Sequence, residues 1–158
     1  MSTRMRLSIH IERQFREYIK PQWLSQVVEK TLHVCEILEE AELSLCITND
    51  SSICELNRIY RGIDEPTDVL AFALTEQIDG CNDFVSPPDG IAHLGEIVIS
   101  HQQAIRQAEE YGCPPQQELA RLVIHGVLHL LGFDHNTTAS ERSMTSLQEL
   151  ILAEVPPS

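Results

Sequence analysis

The longest apolar stretch of the chain runs from Leu119 to Phe133 and is interrupted only by Arg121 and two histidines, His125 and His129. It is too short to span a bilayer, and from Leu122 to Leu131 almost every residue besides the histidines is apolar, so it reads as a helix buried all round. One turn separates the two imidazoles, which puts them on one face. Gly132 permits a left-handed turn, so His135 can fold back toward the pair. Two imidazoles without partners in such a helix would each cost on the order of 1–3 kcal/mol of desolvation. Metal coordination removes that cost. A single histidine on a helix is ordinarily packed or solvated. Three converging on one point form a good set of ligands for one Zn²⁺, with a fourth position left for water or substrate.

The rest of the chain has to wrap that helix. Its 158 residues suit one domain, 1–158, and a hydrophobic content of 42% fills a core without staples. Wholesale disorder, collagen-like repeats and a coiled-coil rod are excluded by this composition. The net charge of −13 excludes a general DNA-coating protein, so any nucleic acid is handled at a local site. Cysteines at 35, 46, 54, 81 and 113 are odd in number and form no Cys-x-x-Cys pair, which argues against both a disulfide framework and a thiolate zinc knuckle. No apolar signal core follows Met1. The expectation is a soluble cytoplasmic protein with no membrane partner.

Alternation from Met5 to His10 and from Leu43 to Thr48 predicts two strands. Between them, Pro21 opens a helical pattern through Leu24, Val28, Thr31, Cys35 and Leu38. Asn49, Asp50 or Ser51 can cap a short helix whose apolar face holds Ile53, Leu56 and Tyr60. The run Val69–Leu74 reads as a strand buried on both faces, and Leu94–Ile99 as a fourth strand. The segment from about 76 to 90, rich in acids, Gly and Pro, reads as an exposed loop. Ser100 with Gln103 caps the next helix, which Gly112 stops, and Pro114-Pro115 restart the chain into the histidine helix. Thr138 with Glu141 caps a last helix through Met144, Leu147 and Ile151, leaving a short disordered tail at 155–158. The order β-α-β-α-β-β-α-α-α makes an α+β domain, with helices gathered on a small mixed sheet.

The spacing of His125 and His129 is that of the zincin helix His-Glu-x-x-His, but Gly126 stands where a metallopeptidase keeps its general-base glutamate. Glu118, about 10 Å upstream along the helix axis, cannot replace it without a relay. The full motif, His125-Gly-Val-Leu-His129-Leu-Leu-Gly132-Phe-Asp-His135, resembles the signature of the YbeY family, single-strand-specific metallo-endoribonucleases of ribosomal RNA maturation. Leu56-Asn57-Arg58-Ile59-Tyr60-Arg61, Asp64-Glu65-Pro66-Thr67-Asp68-Val69-Leu70 and Leu94-Gly95-Glu96-Ile97-Val98-Ile99 are similar to further elements of that family, in the same order. Phe133 replaces a common Tyr, and Ala71-Phe-Ala-Leu74 replaces the usual Ser-Phe-Pro.

The resemblance implies a four-stranded mixed sheet with surrounding helices and a zincin-like histidine helix, one Zn²⁺ on His125, His129 and His135, and single-stranded RNA as substrate. It further implies maturation of the small-subunit rRNA 3′ end, ribosome quality control and a ribosomal partner. Arg61 matches the family's motif arginine; a guanidinium can pair bidentately with the scissile phosphate and stabilise charge on pentacoordinate phosphorus. Its plainer role is a surface pair with Asp64 or Glu65. The zinc would act as a Lewis acid or lower the pKa of its water, with no evident general base beyond a water chain or the RNA 2′-hydroxyl. Asp134 either orients an imidazole or caps the next helix, and Thr67 and Asp68 read as structural. Glu96 lies on a strand whose alternation leaves its direction open. Arg4, Arg6, Arg13, Arg16 and Lys20, with Arg58 and Arg61, form one basic groove if the first strand borders the site; otherwise they are scattered and offset nearby acids. Two rivals remain, a zincin-like metallopeptidase and a non-catalytic zinc-containing ribosome-assembly factor.

Overall fold

Apolar and polar residues alternate along Met5–Ile11 (β1) and Glu40–Thr48 (β2), and in the computed structural model these are parallel neighbours with Leu7 opposite Leu43 and Ile9 opposite Leu45. Residues 5–37, 40–74, 90–133 and 137–157 are described. Among them, Val69–Ala73 (β3) and Ile91–Ser100 (β4) complete a mixed sheet in the order β1-β2-β4-β3. β4 runs parallel to β2, and β3 is antiparallel to β4.

Five α-helices accompany the sheet, α1 (Pro21–Val34), α2 (Asp50–Arg61), α3 (His101–Tyr111), α4 (Pro115–Leu130) and α5 (Thr138–Glu154). The fold class is α+β, as the pattern of elements predicts. One sheet face, carrying Leu43, Leu45, Ile47, Ile97 and Ile99, packs with Val28 and Leu32 of α1, Val123, Ile124 and Val127 of α4, and Ile151 of α5 in the main core. The other face is covered in part by α2, where Ile53 meets Leu70 and Val98. No helix of the described residues is long and apolar enough to cross a membrane.

Local chemistry explains most boundaries. Pro21 starts α1, the Asn49 side chain accepts the Ser52 N–H at the start of α2, and Ser100 accepts that of Gln103 at the start of α3. Several expectations need correcting. α1 ends at Val34, so Cys35 lies just past it. β3 is the edge strand, and Val69, Ala71 and Phe72 are only half-buried, so the run is not covered on both faces. Tyr60 is exposed rather than part of the apolar face of α2, where the polar Asn57 is buried instead, donating to the Glu65 carbonyl at 2.9 Å. α5 is capped one residue earlier than expected, by Thr137 in a capping box with Ser140. Residues 76–89 of the expected loop lie outside the described residues, as do Asp134 and His135. Beyond α5, the Trp23 indole N–H donates to the Pro156 carbonyl at 2.9 Å, and Val155 packs on the core.

α4 is held at its flank by charge as well as by packing. Glu118, only 2% exposed, is paired with Arg121, whose Nε donates to Glu149 of α5 at 3.0 Å. Burial pushes the Glu118 carboxyl above its ordinary value, with Arg121 pulling the other way. A raised carboxylate pKa means stability that is full below the ordinary value and lost as pH rises through the folded value. Arg121→Met removes the opposing cation and raises it further. The expected result is a loss of about 3–5 kcal/mol at pH 7.5, and a clearly smaller one near pH 5, read from paired unfolding curves. An equal loss at both pH values would mean that the buried carboxylate is not its source.

Candidate active site

From Glu118 to Leu130, α4 is buried on every side except along one line. Arg121, His125 and His129, four residues apart, are half-exposed, while the residues between them are buried. The expectation of burial all round from Leu122 to Leu131 therefore fails at the two histidines and at Leu131, which is half-buried just past the helix. The helix end follows from Gly132, whose φ of +99° lets the Phe133 N–H reach the Leu128 carbonyl at 3.1 Å and its own N–H reach that of His129 at 3.1 Å. The chain thus turns back immediately after the second histidine.

The line opens onto a cleft of about 380 Å³ walled by Tyr60 and Arg61 from the end of α2, Val69–Phe72 of β3, and His125 and His129. Val69 and Ala71 share the sheet face on which α4 lies, whereas Leu70 and Phe72 face α2. The cleft therefore wraps around the free edge of the sheet. The rings of Tyr60 and Phe72 meet at 5.2 Å, tilted by 59°.

His125 Nδ1 lies 3.1 Å from Gln148 Oε1 of α5. An amide oxygen only accepts, so this contact fixes the proton on Nδ1 and presents Nε2 as the lone-pair nitrogen. That is the arrangement by which imidazole ligands are oriented for a metal, and the pair on α4 fits Zn²⁺ in donor type and in spacing. Among the described residues no group of three His, Cys, Asp or Glu converges, and the expected third ligand, His135, lies outside them.

Arg61 is exposed and makes no hydrogen bond or ion pair with Asp64, Glu65 or any other described residue, in contrast to Arg58, which pairs with Glu55. Glu118 is committed to Arg121 and does not line the cleft. Position 126, where a zincin carries its base, faces the sheet. A Cβ there would stand 2.7 Å from Ile97 Cγ2. Asp68 is structural: its carboxylate accepts from Val69 N at 2.7 Å and Gln107 Nε2 at 3.1 Å, and its carbonyl from Ser100 N at 3.0 Å.

His93 contacts Glu42 at 2.8 Å, and His101 packs against Phe15 and Tyr18, with burial lowering its pKa; neither lines the cleft. Cys35 and Cys46 pack against the cores as small residues. The first strand does not border the cleft: β1 is the edge opposite β3, with two strands between, Arg6 pairs with Glu40 at 3.3 Å, and Arg4 lies outside the described residues. Gln148 carries no signal in the sequence, since its contact depends on how α5 lies on α4.

Known proteins match this arrangement along its length. The family model described as endoribonuclease YbeY matches residues 8–156. A protein of that name from Dehalococcoides mccartyi strain CBDB1 is 41% identical, covering 96% of this chain and 93% of its own. One from Moorella thermoacetica is 47% identical over 84% of each chain. The solution structure of a Thermotoga maritima protein superposes with a TM-score of 0.61 at 27% identity, covering 96% of this chain and 88% of that one. By sequence over nearly its whole length, the chain belongs to the endoribonuclease YbeY family.

Proposed function

We propose that the protein is a zinc-dependent endoribonuclease that cuts single-stranded RNA, in maturation of the small-subunit rRNA 3′ end and in ribosome quality control. The observation that carries this reading is one cleft in which a cation without a carboxylate partner among the described residues, Arg61, faces two imidazoles on a half-open helix line. His125, His129 and His135 would hold the metal, which supplies Lewis-acid stabilisation of the phosphoryl oxygens and a more acidic water when bound.

The chain's own residues do the rest. Gln148 keeps the His125 proton on Nδ1, and Arg61 holds the scissile phosphate and neutralises charge that grows on it. The Tyr60 and Phe72 rings offer a stacking surface to unpaired bases, which a duplex cannot use without unstacking. No carboxylate lines the cleft among the described residues, so the proton of the attacking group passes to a water chain, with the RNA 2′-hydroxyl sharing that work. The net charge of −13 repels free RNA, which fits delivery by a ribosomal partner in the cytoplasm. A peptidase reading lacks its base at position 126, where even a Cβ would press on Ile97, and no carboxylate lines the cleft among the described residues.

The test is cleavage of a labelled single strand beside a matched duplex, with and without chelator, by wild type and Arg61→Ala. Single-strand cutting that chelation stops and zinc restores is expected, with Arg61→Ala slowed about a hundredfold or more. Wild-type rates in Arg61→Ala would remove the phosphate role, and chelator-resistant cutting would remove the metal.

A further inference from the structure

Phe72 stands between the cleft and the part of the same sheet face on which Ser8 and Glu96 are exposed. Phe72 also lines a second hollow of about 390 Å³, bordered by Arg6 and Ser8 of β1, Glu42 and Ser44 of β2, and Glu96 of β4. The strand registers place Ser8, Ser44, Glu96 and Phe72 in one row across all four strands, with neighbours about 4.8 Å apart. α2 meets this row only at Phe72, whose ring its Tyr60 touches, and otherwise covers Cys46, Val98 and Leu70 in the next one, so that Ser8 and Glu96 stay exposed.

Glu96 is out of place there. It is exposed in the middle of the second strand from the edge, between the buried Gly95 and Ile97, and makes no hydrogen bond or ion pair with any described residue. The other acid of the hollow, Glu42, is taken up by His93, and the one cation, Arg6, by Glu40. A carboxylate without a described partner, in a hollow that shares Phe72 with the cleft, repels the RNA backbone. Its favourable partners are N–H donors, and on unpaired RNA those are base edges. Guanine alone presents two adjacent donors, N1–H and N2–H, that match both oxygens of one carboxylate. Uracil flanks its single N–H with two carbonyls, while adenine and cytosine place an acceptor nitrogen beside the amino group.

We propose that this hollow is a base-reading subsite, in which Glu96 accepts both donors of an unpaired guanine held against Phe72, next to the phosphate in the cleft. It rests on the reading of the cleft as an RNA site, and gives that site a sequence preference. Ser44 and Ser8 extend the row as hydroxyl partners for the ribose or a neighbouring base.

The probes are labelled oligouridine, the same strand carrying one guanosine at successive positions, and the same strand with inosine, which lacks the 2-amino group. Binding is read by fluorescence anisotropy at fixed salt, and cleavage is read separately. Wild type should prefer the guanosine strand by about tenfold at one position, with inosine between. Glu96→Gln should bring the ratio within twofold, and Glu96→Asp should keep part of it.

No guanosine preference in wild type, or an undiminished one in Glu96→Gln, overturns the subsite. So does a Glu96→Gln that tightens every strand equally, since the carboxylate then only repels. Guanosine preference in binding without cleavage upholds the subsite and removes the enzymatic reading. Cleavage without base preference does the reverse, and wild type that binds no strand overturns both.

Discussion

His129→Ala should leave a folded protein that retains no stoichiometric zinc and cuts single-stranded RNA at least about a thousandfold more slowly. The size follows from the position. His129 is half-exposed on a helix whose neighbouring positions are buried, so removing its ring costs little packing but takes away one of the proposed zinc ligands. Zinc content by elemental analysis, circular dichroism and cleavage rate have to be read together. Loss of zinc with the fold intact and the rate gone is the expected set. A variant that keeps zinc and activity would show that His129 is not a ligand. Gln148→Ala sets the scale for comparison: it leaves the ligands and loosens only the orientation of His125, for which a ten- to hundredfold loss of zinc affinity is expected.

Restoring the zincin glutamate should not create a peptidase; it should unfold the protein. Gly126 is fully surrounded, and even a Cβ would press on a methyl of the β-branched Ile97, which lies at the centre of β4. Gly126→Ala sets about 1 kcal/mol of helix propensity against about 1–3 kcal/mol of overpacking, so its net effect is small. Gly126→Glu adds a carboxylate packed against the apolar side chain of Ile97. A loss of more than about 4 kcal/mol is expected, or a fall in Tm of roughly 10 °C or more for a chain of this size. Thermal unfolding of the two variants beside wild type reads the difference. Gly126→Glu with wild-type stability would mean that α4 can lift from the sheet.

The sequence displays the chain's elements well because each carries its own local signal. β1 and β2 show period-two alternation, and α2 to α4 start or stop at Asn49, Ser100, Gly112, Pro115 and Gly132. What it hides is who neighbours whom. An apolar run such as Val69–Ala73 reads the same at the edge of a sheet as in its middle, and only strand order tells them apart. The same order removes β1, and with it Arg6, from the cleft. Tyr60 has the spacing of a core residue, yet α2 ends at the rim and leaves its ring outside. Of the candidate site, His125, His129 and Arg61 announce themselves by spacing and motif. Gln148 and the row through Glu96 arise from packing between elements far apart in the chain.

Among the described residues, the strand that walls the cleft pairs with a single neighbour. The Ser100 N–H to Asp68 carbonyl bond sets the phase of the antiparallel pairing, so Leu70 and Phe72 face β4 while Val69, Ala71 and Ala73 turn their N–H and C=O groups outward. An edge of that kind normally invites another chain to pair with it, the first step toward aggregation. Here the same row of amides lies beside Arg61 and the imidazoles, where a nucleic acid bound as proposed would cover it. Substrate occupancy and resistance to self-association then become one physical property, and amide protection along β3 would report both at once.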